Sequence, residues 1–220
     1  MNDEMGNSGW AMEDYSDKSE SIEKEKLPGK ATEFRWLFWA EIVIVVAAAG
    51  YFLSPVIRSI GFNVAMLAAS FVASLVYVVF TLKLGRLGES FRMAGLFFLA
   101  YSVLNFLSEN LKVNATVIIA ISIAAVVCMI VYVIKFCDSC RELLRESDLR
   151  LATSWDSYKT IILFLYALLV ICSLAEFLPI ILLIAHIAYN AVTLAFVAMY
   201  FWHLYLLHKT DASLRVNNPA

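Results

Sequence analysis

The sequence predicts an all-α, polytopic membrane protein with six transmembrane helices arranged as three helical hairpins. Three observations predict this class. Apolar residues make up 61% of the 220 residues and charged residues 16%, whereas a soluble domain sits nearer half and a quarter, so a large apolar surplus must face lipid. Six long apolar stretches lie between Trp36 and Leu207. The basic residues collect in alternate gaps between those stretches. Lys83, Arg86 and Arg92 fill the second gap, and Lys135, Arg141, Arg145, Arg150 and Lys159 the fourth, while the others hold only Arg58, only Lys112 and none. Short loops rich in Lys and Arg stay in the cytoplasm, so both chain ends and the basic gaps are expected there, in a multi-pass protein of the cell membrane.

Residues 1–34 read as a disordered cytoplasmic tail. Residues 1–35 carry nine acids and five bases with few apolar side chains, too few to offset the entropy of ordering. No secretory signal precedes the first span. Spans are expected at about 36–57, 59–82, 93–110, 113–135, 159–177 and 180–207, each close to the ~20 residues needed to cross the hydrocarbon. Trp36, Trp39, Tyr158 and Trp202 fall near the inner boundary, where aromatic belts form. Glu176 and Pro179 mark the turn that divides the last apolar stretch.

An internal triplication is suggested by recurring anchors. The odd spans open near Phe34, Phe91 and Tyr158 and close at Phe52-Leu53-Ser54, Phe106-Leu107-Ser108 and Phe177-Leu178-Pro179. The following spans each carry an aromatic at a similar distance: Tyr77, Tyr132 and Trp202. The even spans also carry small residues at helical spacing: Ala65, Ala69 and Ala73; Ala120, Ala124 and Cys128; Ala188, Ala191, Ala195 and Ala198. Small residues let helices approach closely in lipid, so spans 2, 4 and 6 are expected at the centre, with the odd spans outside. Residues 137–158 read as a cytoplasmic amphipathic linker that continues span 4 or lies on the bilayer surface, with Glu146 and Arg150 spaced to pair one turn apart. Residues 209–220 form a cytoplasmic tail.

Ionisable groups within spans are the default functional candidates, since placing them in lipid costs about 2.5–3.5 kcal/mol. Glu41 lies near the start of span 1 and His203 at a similar depth in span 6, so a Glu41–His203 pair, structural or proton-linked, is expected on the inner side. Glu176, His186 and Asn190 form a second polar set towards the outer side, with Asn63, Asn105, Glu109 and Asn110 at the helix turns. Together Glu41, His203, Glu176, His186 and Asn190 are the candidate ligand- or ion-binding residues.

Cys137 and Cys140 form a single CxxC pair, a weak metal signal without a second pair, and His208 would join it only if span 6 ended beside span 4. No bound cofactor is expected. Asn114-Ala115-Thr116 matches a glycosylation sequon on an outer turn. Phosphate loops and metalloprotease or nucleophile-elbow motifs are missing. The chain has no basic face for nucleic acid.

Two function classes follow. One is a membrane bundle without catalysis of its own, an accessory subunit, sensor or immunity-type protein. Its partners would be the bilayer and a protein partner or a homo-oligomer. The other is a small transporter or channel for an ion or small polar solute, with polar groups on spans 1, 5 and 6. The first is favoured by short outer loops and scarce proline and glycine. The second requires that Glu41 and His186 face a cavity.

Overall fold

A computed structural model of the chain describes residues 31–57, 60–110, 114–175 and 182–216. Those residues form six α-helices: α1 (Ala31–Ile57), α2 (Ile60–Leu84), α3 (Glu89–Asn110), α4 (Ala115–Leu144), α5 (Leu149–Ala175) and α6 (Leu182–Val216). No strand occurs among them. Among the described residues, α2 to α6 each contain a segment long and apolar enough to cross a membrane. The described part of α1 carries Glu33, Arg35 and Glu41. The turn around Glu176 and Pro179 lies outside the described residues.

Local chemistry sets the helix ends. Asn114 caps α4 by accepting a hydrogen bond from the Thr116 amide at 3.2 Å, so the asparagine of the sequon serves as an N-cap. Asp148 caps α5 in the same way, accepting from the Leu151 amide at 3.0 Å. Between α2 and α3 the chain turns tightly at Gly85, whose amide donates to the Leu82 carbonyl at 3.0 Å. A Cβ at Gly85 would lie 2.7 Å from that carbonyl oxygen and 2.9 Å from the Arg92 Cβ, so the turn requires glycine. At Gly95, on α3, a Cβ would meet the Leu82 side chain at 2.8 Å. The missing side chain is what lets α3 approach α2 this closely.

The helices form a closed ring. Each packs on its neighbours in sequence, and α1 closes the circle against α6. The expectation that the three even helices pack at the centre is therefore corrected: α2, α4 and α6 alternate around the ring with α1, α3 and α5. Half of the small-residue stripe faces outwards, with Ala65, Ala120, Ala124, Ala191 and Ala198 exposed. Buried small residues occur along the whole ring, among them Ala40, Ala47, Ala73, Ala94, Ala125, Ala152 and Cys172.

One end of the ring gathers the basic residues and holds the tightest packing. Phe34, Leu37, Leu84, Phe91, Phe136, Leu144, Trp155, Leu206 and Leu207 are buried there. Phe136 lies edge-on to both Phe91 and Trp155, a favoured arrangement of aromatic quadrupoles. Residues 137–144 complete α4 and 149–158 begin α5, so this segment forms the tip of a helical pair rather than a helix lying flat. Glu146 lies in the turn and Arg150 in the next helix, so they share no helical face. Lys159 instead ties the two helices together, 2.6 Å from Asp138 and 2.9 Å from Asp156, and Arg141 adds a contact to Asp156 at 3.3 Å. Trp155 donates to Thr210 on α6 at 3.0 Å.

Candidate functional site

Within the ring lies a cavity of about 650 Å³, walled by all six helices. It follows from the closed ring: six helices around one axis leave a space that only large side chains can fill. At the basic end Phe34, Leu37, Phe91, Trp155 and their neighbours fill it. Further along the axis Glu41, Tyr77, Phe98, Tyr132, Tyr158 and His203 all line the opening.

Glu41 and His203 meet at the cavity floor. They are 162 positions apart in sequence, and α1 and α6 bring them together by closing the ring. Both are buried. Both carboxylate oxygens of Glu41 lie 2.6 Å from His203 Nδ1. Only Oε1 has hydrogen-bond geometry, and Oε2, fully buried, makes no hydrogen bond. With the carboxylate ionised, Nδ1 must carry the proton, whether the ring is neutral or charged. The imidazole is fixed by aromatic rings, stacked on Tyr158 at 5.3 Å and edge-on to Phe136 and Trp155 at 5.9 and 5.5 Å. Tyr158 thus faces inwards and does not join the boundary belt. Trp36 and Trp39 are exposed, as that belt requires.

Above the floor the wall is aromatic. Tyr77 and Tyr132 share a hydrogen bond of 2.6 Å between their hydroxyls, and Phe98 packs 4.9 Å from both rings. Tyr101, Tyr166, Tyr200, Phe71, Phe106 and Phe196 continue the wall, with Ser70, Ser74, Ser102 and Asn105 as its polar groups. Ser102 donates to the Phe98 carbonyl at 2.9 Å. Among the described lining residues there is no lysine or arginine, and Glu41 is the one acid.

The structure brings Glu41 and His203 together and separates them from the outer set. His186 and Asn190 are exposed on α6 and do not line the cavity. Glu176 lies outside the described residues, as do the side chains of Glu109 and Asn110. Asn105 lines the cavity. Asn63 is half-buried, with its Oδ1 lacking a partner.

Cys137 and Cys140 are free, buried thiols on α4, and buried thiols in apolar surroundings are inert. Among the described residues no group of three or more His, Cys, Asp or Glu could hold a metal. His208 is exposed and packs on Phe38 of α1.

Sequence reasoning missed the tyrosine wall. Tyr77 and Tyr132 stood out only as recurring anchors, although a tyrosine in mid-span carries a hydroxyl that must find a partner. That was the available signal. Compared with protein-family models, with curated proteins and with solved structures, the chain matches none.

Proposed function

We propose that this chain crosses the cell membrane six times as three hairpins, with both ends cytoplasmic, and takes a small solute into its central cavity for transfer across the bilayer. The observation that carries this reading is the Glu41–His203 pair at the floor of a cavity walled by all six helices. A carboxylate in apolar surroundings is expensive. A purely structural pair needs no 650 Å³ space beside it. Specific small-molecule sites combine an apolar, aromatic wall with a few placed polar groups, and this cavity has that composition. The five helices apolar enough to span, and the clustering of bases at one end, support the topology.

Partner docking, the other function class, rests on the charged tip around Arg145 and on the acidic tail. The cavity ranks solute binding ahead of it through Glu41 alone, since His186, the other residue expected to face a cavity, does not line it.

The test is reactivity of the cavity in membranes. In a background with the four cysteines changed to alanine, Ser102→Cys should react with a small water-soluble methanethiosulfonate, and adding Ser74→Trp to fill the space should suppress the reaction. A Ser102→Cys thiol that stays unreactive in folded protein would mean a sealed packing defect and end the solute-binding reading. Arg145→Cys, at the tip, should label only from the cytoplasmic face.

A further inference from the structure

We infer that the cavity selects hydrophobic organic cations, aromatic or alkyl ammonium and phosphonium compounds, and seats their charge among the aromatic rings above Glu41. This rests on the solute-binding reading and names the ligand class for that same site.

Four features of the cavity lead to it. Glu41 is buried at the cavity floor, with Oε1 and Oε2 both 2.6 Å from His203 Nδ1. It is the one acid of the described lining, and a carboxylate in an apolar setting favours a positive group nearby. The wall supplies the rest of a cation's environment, since the faces of Tyr and Phe rings carry negative potential and attract cations most strongly where water is excluded. Six tyrosines and five phenylalanines line this space.

Anions find no counter-charge among the described lining residues, which include no lysine or arginine and whose His203 faces Glu41. For neutral polar solutes the Tyr77 and Tyr132 hydroxyls already bond each other, and Ser102 donates to a backbone carbonyl. A small inorganic cation would need several oxygen ligands, and Glu41 is the one carboxylate of the described lining. The volume of about 650 Å³ falls within the range that accepts a drug-sized molecule.

Two probes of the same shape and opposite charge separate the possibilities: tetraphenylphosphonium and tetraphenylborate, titrated against the full-length protein in lipid nanodiscs, with protein-free nanodiscs as the partition baseline. The phosphonium should bind the protein at least tenfold more tightly than the borate. Glu41→Gln should abolish the preference. Should that variant fail to fold, Phe71→Ala, at a half-exposed wall position, should still weaken phosphonium binding several-fold.

Borate bound as tightly as phosphonium, or phosphonium binding indifferent to Phe71→Ala, would overturn the cation inference. Failure of both probes would also overturn it. In that case a reactive Ser102→Cys would leave solute binding standing, whereas an unreactive one would remove both.

Discussion

The two ends of the helix ring are built on different principles. At the basic end the axis is filled: Trp155, Phe136, Phe34 and Leu206 leave almost no surface exposed, and Trp155 reaches across to Thr210. Beyond the level of Glu41 the same six helices enclose open space, lined by Tyr77, Phe98 and Tyr132 and flanked by buried small residues such as Ala47, Ala73 and Ala125. Aromatic bulk thus fills the axis at one end and only lines it at the other. The lesson is that stability and binding capacity occupy different lengths of one bundle. A change at the filled end should act on folding, and a change along the open length should act on what enters.

The sharpest break of that division is His203→Ala, which sits at the boundary. It strips Glu41 of its partner in a buried site, and such a loss costs about 3–5 kcal/mol. A large drop in melting temperature in detergent is expected, partly restored by His203→Asn. Trp155→Ala should cost a similar amount, about 3–5 kcal/mol, by opening a hole in the filled end, with little change in ligand preference once the protein is folded. Tyr132→Phe strands the Tyr77 hydroxyl and should cost about 1–3 kcal/mol. It would sharpen the comparison by altering binding and stability together.

The smallest effect is expected at the exposed tip. Lys159, hydrogen-bonded to Asp156, and then Arg141 hold the Asp156 carboxyl below its usual range. A depressed folded value stabilises above the unfolded carboxylate value of about 3.9. That contribution is lost as the pH falls through the lower folded value. Because Asp156 is well exposed, Asp156→Asn should cost no more than about 1 kcal/mol. The difference should vanish in acid or at high salt, as paired melting curves would show.

Much of the fold was legible because hydropathy and charge placement are one-dimensional. All six helices lie where the apolar stretches fall. The helix ends were less legible. Lys135 and Arg141 mark where the apolar run stops, and α4 continues to Leu144, one of the two courses the sequence allowed for 137–158, while Arg141 pairs with Asp156 and Lys159 bridges to Asp138.

The Glu41–His203 pair was legible because two ionisable groups at one depth in apolar helices have few other partners. The ring was not. Alanine stripes say that a helix approaches something closely, but not which neighbour, and here half of the stripe residues face outwards. The cavity was still less visible, since it exists only where side chains from six separate helices fail to meet.

Ring closure between α1 and α6 has a consequence for how the chain is made. The acid on α1 has its partner encoded 162 positions later, and every intervening helix must be synthesised before the two can meet. A chain cut short before α6 would leave Glu41 without His203, so one pair of side chains marks whether the circle is complete.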